Sequence, residues 1–173
     1  MIRARPAARI GRRMALRYGF LGALSLAWVE VLGAIAPFLT VRRIVGLGVA
    51  VNVGPKAQVL AAFAETNDAP QLFRTGHFFL LHPAGGILAA YRKCTHLGCA
   101  VPFSVAEDRF HCPCHQSQYD KHTAVVLYGP APKPLQLFHL TETDAGLVVD
   151  TNPLNVIDRR DNRWDPSVIE IPD

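Results

Sequence analysis

No stretch of this 173-residue chain reads as a glycine-rich nucleotide loop, and no side-chain set reads as a catalytic nucleophile with its base. Both absences argue against an enzyme that works alone. No internal repeat is present, which excludes solenoid and propeller arrays. Helix-period patterning is missing after the first forty residues except over Gln58–Glu65. Acidic residues are missing from the start of the chain: none precedes Glu30, while Arg3, Arg5, Arg9, Arg12, Arg13 and Arg17 all lie before residue 18. The net charge of +4 therefore belongs to the tail, and the remainder, with 12 basic and 14 acidic residues, carries −2. That distribution excludes a nucleic-acid-binding head.

Long apolar runs are also scarce, and the single exception is informative. Tyr18–Leu39 is 22 residues long with Glu30 as its only charge, enough to cross a hydrocarbon core of about 30 Å. Its many small residues (Gly19, Gly22, Ala23, Ser25, Ala27, Gly33, Ala34) suit packing between membrane helices. The arginine-rich side is expected in the cytoplasm and the rest of the chain on the periplasmic or equivalent outer face. Arg12-Arg13 directly before the run matches a twin-arginine export signal; plain positive-inside charge is the alternative. The run exceeds the 7–15 apolar residues of a cleaved signal, so a retained single-pass anchor in an energy-transducing, bacterial-type inner membrane is expected. Glu30 would lie near mid-bilayer, where a carboxylate costs about 2.5–3.5 kcal/mol; the helix is expected to pack against protein there.

Cysteine is limited to four residues, and they fall in two boxes. The first is Cys94-Thr95-His96-Leu97-Gly98-Cys99 and the second Cys112-Pro113-Cys114-His115-Gln116-Ser117. Each offers a Cys-plus-His pair, which suits a centre whose one iron takes two thiolates and the other two imidazoles. Zinc is the rival, since two Cys and two His also make a tetrahedral site. The usual zinc spacing puts two to four residues between paired ligands, wider than Cys94-x-His96, and zinc leaves Cys99 and Cys114 idle. The other histidines (His77, His82, His122, His139) show no partner pattern and read as surface or satisfied side chains. His111 adjoins Cys112 but faces the other way if residues 109–112 are a strand.

The two boxes resemble those of the high-potential Rieske iron–sulfur proteins of cytochrome bc complexes, strongly so over about Lys93–Leu135. The resemblance implies a [2Fe–2S] cluster with Cys94 and Cys112 on the inner iron and His96 and His115 on the outer. It implies a Cys99–Cys114 disulfide tying the loops together, the one pairing of the three that four cysteines allow that leaves a Cys-His pair on each loop. Ser117 and Tyr119 match hydroxyl donors to a cluster sulfur and a cysteine ligand, which raise the potential. Gly129-Pro130-Ala131-Pro132-Lys133-Pro134-Leu135 resembles the proline loop that covers the cluster, and Leu97 the apolar residue that shields it. The family has glycine after the second histidine; here Gln116 stands there, strained if φ is positive.

The fold implied is an all-β Rieske domain, an antiparallel β-sandwich with a small cluster-binding subdomain, behind one N-terminal transmembrane helix. Short strands are expected at Leu72–Arg74, His77–His82, Gly86–Tyr91, Arg109–His111, Pro134–Leu140 and Gly146–Val149. The expected divisions are a basic N-terminus (1–17), an anchor (18–40), a glycine-bearing hinge or linker (41–56), the Rieske domain (57–150) and a polar C-terminal tail (151–173), loose or docked on a partner. The family implies a redox subunit that takes one electron from quinol, with a proton through a ligand histidine. It passes the electron to a c-type cytochrome or equivalent beside a cytochrome b-type subunit. The alternatives are the Rieske small subunit of a periplasmic molybdenum oxidase of the arsenite oxidase type, and a zinc-bound structural module.

Overall fold

The computed structural model describes residues 11–39 and 48–173. Two compact units divide the chain, Met1–Arg43 and Ile44–Asp173. In the first, α1 runs over Arg12–Leu39, about 42 Å at 1.5 Å per residue. Its Arg12–Pro37 stretch is long and apolar enough to cross a membrane. Phe20, Leu21, Leu26 and Val29, which point to four different sides of it, are all exposed. A helix that is apolar all round needs lipid or protein about it.

The second unit is built from short strands. They are β1 (Ala50–Gly54), then helix α2 (Lys56–Glu65), then β2 (Gln71–Phe73), β3 (Phe78–Leu81) and β4 (Gly86–Tyr91). After these come β5 (Phe103–Ser104), β6 (Arg109–His111), β7 (Gln118–Tyr119) and β8 (Val126–Tyr128). The last are β9 (Leu137–Thr143), β10 (Gly146–Asp150), β11 (Val156–Ile157), a 3-10 turn at Pro166–Val168 and β12 (Ile171–Pro172). The main antiparallel sheet has the order β1-β10-β9-β4-β3-β2, with β11 on β9 and β12 on β4; β5-β6-β7-β8 form a second sheet.

Strands β3 and β4 read Phe-Phe-Leu-Leu and Gly-Ile-Leu-Ala-Ala-Tyr, unbroken apolar runs that suit a wall covered on both faces. Phe78, Leu80, Ile87, Ala89 and Phe138 face one core, closed by Val59 and Phe63 of α2. Those two residues are one helical turn apart, so both point inward. Phe79, Leu81, Leu88, Ala90 and Leu137 face the other core, which also holds Cys94, Cys112 and Tyr119. Each fully buried Phe or Leu contributes about 1.5–3 kcal/mol.

The second sheet and its loops are inserted between β4 and β9, neighbours in register at Ala89–Phe138 and Ala90–Leu137. The Tyr91 amide donates to the Gln136 carbonyl at 2.8 Å and pinches the insertion at its base. A rigid paired base thus carries the loops that hold the cysteines.

Three expectations change. Most of the described part of the linker expected over 41–56 is regular structure: Ala50–Asp150 through Gly54–Leu147 pair as β1 and β10, and α2 begins at Lys56. Residues 41–47 lie outside the described residues. The tail is not loose, because β11 and β12 pair with β9 and β4 and Trp164, Val168 and Ile169 pack on the cysteine-bearing core. The strand expected at Pro134–Leu140 begins at Leu137, since Pro134 cannot donate to a ladder and Leu135 belongs to the preceding loop.

Candidate metal centre

Both Cys-His boxes fold into the same turn. In the first, the Gly98 amide donates to the Cys94 carbonyl (2.9 Å) and the Cys94 amide to the Cys99 carbonyl (2.8 Å). In the second, Gln116 donates to Cys112 (3.0 Å) and Cys112 to Ser117 (2.8 Å). The fifth residue of each turn has positive φ, +84° at Gly98 and +62° at Gln116. Gln116 therefore occupies a left-handed position that costs a non-glycine residue about 1–2 kcal/mol. Its Oε1 lies 2.6 Å from His111 Nε2, whose ring also meets Glu107 at 2.9 Å. A hydrogen bond of about 0.5–1.5 kcal/mol offsets much of that strain. His111 faces these groups and not the cysteine pair.

The turns bring four donors together. Cys94 and Cys112 are free and buried, and the rings of His96 and His115 stand 4.7 Å apart, nearly perpendicular. His96 is half-buried and His115 exposed. His96 Nδ1 is buried with no hydrogen-bond partner among the described residues, a state that costs about 1–3 kcal/mol unless a ligand takes the lone pair. Burial opposes the Cys94 thiolate, but the Tyr119 hydroxyl, the His96 amide, Cys112 and the Leu97 amide outweigh it and hold the pKa below the ordinary cysteine value. At Cys112 burial prevails over the Cys114 and His115 amides and raises it. Amides aimed at both sulfurs suit anionic ligands. Two buried thiols, an orphaned imidazole nitrogen and a second imidazole beside it fit an S2N2 metal centre.

Three loops are tied pairwise around that centre. Cys99 and Cys114 form a disulfide between the two boxes. Cys112 lies against it, with the sulfurs of Cys99, Cys112 and Cys114 within 4.8 Å of one another; two of the three are bonded to each other, so that trio is not itself a metal site. Thr95 Oγ1 donates to the Lys133 carbonyl (2.6 Å), joining the first box to the proline loop. The Ala131 amide donates to Ser117 Oγ (3.2 Å), joining the second. Ser117 is fully buried, and its own proton has no acceptor among the hydrogen bonds of the described residues, so it is free to point inward. Tyr119 Oη lies 3.1 Å from Cys94 Sγ and accepts from the Thr95 amide at 3.3 Å. Burial first, then the adjacent Cys94, raises the phenol pKa, which keeps Tyr119 a neutral donor.

Among the residues singled out from sequence, Leu97 lines the same cleft as Cys94 and His96. It sits at the outer corner of its turn, 70% exposed, and burial of the thiols comes from Ala131, Leu135 and the core. Pro132 is likewise exposed, while its neighbour Ala131 is the loop's inward anchor. Thr95 was missed; its hydroxyl between two ligand positions was the available signal. His77, His82, His122 and His139 lie away from the four donors, as expected. His82 bonds Asp68 and Asp173, His122 the His82 carbonyl, and His139 Glu170.

Residues 53–139, half of the chain, match the family described as the Rieske [2Fe-2S] domain. The chain belongs to the Rieske family. The all-β fold and the [2Fe–2S] cofactor follow, and the zinc alternative is set aside. The cytochrome b6-f complex iron-sulfur subunit of Nostoc punctiforme is 55% identical over 56 residues, 32% of this chain and 31% of that protein. The subunit of the same name from Synechococcus elongatus is 48% identical over 73 residues, 41% of this chain and 39% of that protein. The matched region thus spans about a third of the curated relatives. Among solved structures, the plasma membrane Rieske protein of the cyanobacterium Synechocystis PCC 6803 aligns with a TM-score of 0.42 at 28% identity, covering 57% of this chain and 97% of that one.

Proposed function

We propose that this Rieske protein is the membrane-anchored iron–sulfur subunit of a quinol-oxidising complex of the cytochrome bc type. Cys94 and Cys112 would hold one iron of the cluster, and His96 and His115 the other. The observation that carries the reading is the pair of imidazoles at the surface end of three tied loops, with hydroxyl donors set behind them. When bound, the cluster supplies one-electron chemistry at a potential set by hydrogen bonds to its sulfurs and by net charge.

The residues divide the work. With Nδ1 of His96 turned inward, Nε2 is the nitrogen left to exchange a proton. His115, the more exposed ring, accepts the hydrogen bond from the quinol hydroxyl and then its proton. Tyr119 donates to the Cys94 sulfur, and Ser117 donates inward, both favouring the more negative reduced state. The proline loop and the disulfide keep water from the thiolates and hold the two rings in one arrangement. The partners this role requires are a c-type cytochrome or equivalent as electron acceptor and a cytochrome b-type subunit for the second electron.

Helix α1 anchors the chain with its arginines, Arg12-Arg13 among them, in the cytoplasm and the Rieske domain on the outer side. A disulfide supports that oxidising face. The relatives' membership of the cytochrome b6-f complex supports the partners. Purification of the tagged chain from its native membrane tests the reading. It should bring down haem b and quinol-dependent cytochrome reduction that is lost on His115→Ala. Recovery with a molybdenum protein and no haem b would reassign the chain to the oxidase class.

A further inference from the structure

Arg159 lies outside the residues that match the Rieske family, in the C-terminal segment, yet it is 6% exposed. Its Nη1 donates to the Thr123 carbonyl at 2.7 Å and its Nη2 to the Leu135 carbonyl at 2.6 Å. Nε is buried without a partner among the described residues. Among the described residues no carboxylate lies within ion-pair distance of it; the adjacent Asp158 pairs with Lys133. A buried guanidinium normally has a counter-charge, since desolvation of an ion costs several kcal/mol. This one has only two carbonyl dipoles. Burial lowers its pKa to about 10, so it remains a cation at neutral pH.

Its two carbonyls place it. Leu135 ends the proline loop, and Thr123 lies in the turn Asp120–Val125 that follows Tyr119. Leu135 donates to the Ala124 carbonyl at 3.1 Å. Leu135 and Ala124 belong to the same buried core as Cys94, Cys112 and Tyr119. The positive charge is therefore held by the carbonyl of a residue that packs in the same core as the two free thiols, in a low-dielectric medium where charges interact strongly.

We propose that Arg159 is a positioning residue that raises the reduction potential of the cluster, through an uncompensated buried positive charge that favours the reduced, more negative state. The inference rests on the family's cluster and is independent of the quinol reading. It gives the C-terminal segment a redox role: β11 on one side and Trp164 on the other fix the arginine in the core.

The test is an EPR-monitored redox titration of the full chain in detergent, loaded with its cluster, as wild type, Arg159→Lys and Arg159→Met. Arg159→Met should keep the spectral shape and lower the reduction equilibrium at least tenfold, 59 mV for one electron. Arg159→Lys, which keeps the charge and loses one carbonyl bond, should stay within threefold of wild type while melting earlier. Arg159→Gln, able to reach one carbonyl, replaces the methionine form if that form does not hold its cluster. An unchanged midpoint in the neutral form, or a lysine form that falls as far as the neutral one, overturns the proposal. The second result would make Arg159 a latch on the proline loop and nothing more. A wild-type chain without a Rieske spectrum would instead indict the cluster assignment.

Discussion

Gly129 opens the proline loop at φ +98°, and a Cβ added there would lie 2.5 Å from Ser117 Cα and 2.9 Å from both Ser117 N and Gln116 O. All three are backbone atoms of the second ligand box, so no side chain can swing aside. Gly129→Ala therefore carries two costs. The left-handed backbone costs about 1–2 kcal/mol, and forcing the loop off the box costs about 1–3 kcal/mol more. Gly85 supplies the control, with the same φ of +98° and only Ile169 Cδ1 at 3.7 Å, an ordinary contact. Gly85→Ala should show the first cost alone. At about 4 °C per kcal/mol for a domain of this size, Gly129→Ala should melt on the order of 10 °C below wild type and clearly below Gly85→Ala. Lifting the loop also stretches the Ala131–Ser117 bond, so the midpoint potential of the loaded protein should fall in Gly129→Ala and not in Gly85→Ala. Thermal unfolding by circular dichroism, with a redox titration of each form, measures both. Equal melting and equal potentials in the two variants would refute the claim that the proline loop is seated on the second box.

Tyr119→Phe removes the donor at 3.1 Å from Cys94 Sγ, and Ser117→Ala the buried hydroxyl. Each should lower the potential by on the order of 50 mV, the equivalent of about a tenfold preference for the reduced state, with the cluster retained; unchanged potentials would remove both from the tuning role. Replacing Cys99 and Cys114 together by alanine opens a crosslink of sequence separation 15, worth about 3 kcal/mol in chain entropy, and should lower both thermal stability and cluster retention under denaturant. His82 lies between Asp68 at 2.7 Å and Asp173 at 3.1 Å. Burial opposes its protonation, but the two carboxylates outweigh it and raise its pKa above the ordinary 6.5. The stability from this contact is full below pH 6.5 and is lost as pH rises through the folded-state value. His82→Gln should therefore melt below wild type by more at pH 6 than at pH 9, over a constant loss from the Phe63 ring stacked on His82; a pH-independent gap would contradict this.

The chemistry of the site was legible because it is local. A thiol and an imidazole two or three residues apart must share a loop, and two such loops with a spare cysteine each leave few arrangements. The strands of the wall were legible for the same reason, since Phe78–Leu81 and Gly86–Tyr91 are continuous apolar runs. What escaped is what depends on distant pairing. Ala50–Gly54 carries glycine and asparagine among small residues and becomes a strand only because Gly146–Asp150 offers it an edge. The C-terminal segment has only one- or two-residue apolar pieces, Val156-Ile157, Trp164, Val168-Ile169 and Ile171 among them, separated by polar and charged residues, and no period marks them as buried. Arg159, next to Arg160 in a polar run, reads as a solvated cation; its burial comes from carbonyls at 123 and 135 that no pattern announces. Gln116 was legible as a departure from glycine, but not the His111 contact that makes the departure affordable.

The central claim is a histidine-ligated [2Fe–2S] cluster whose reduction is coupled to a proton. An EPR-monitored redox titration of the intact chain in detergent, repeated across pH, tests it most directly. The account predicts a Rieske-type spectrum with a positive midpoint that falls once pH passes the ligand-histidine pKa. A pH-independent, strongly negative midpoint would contradict proton coupling, and a silent sample containing zinc would contradict the cluster itself.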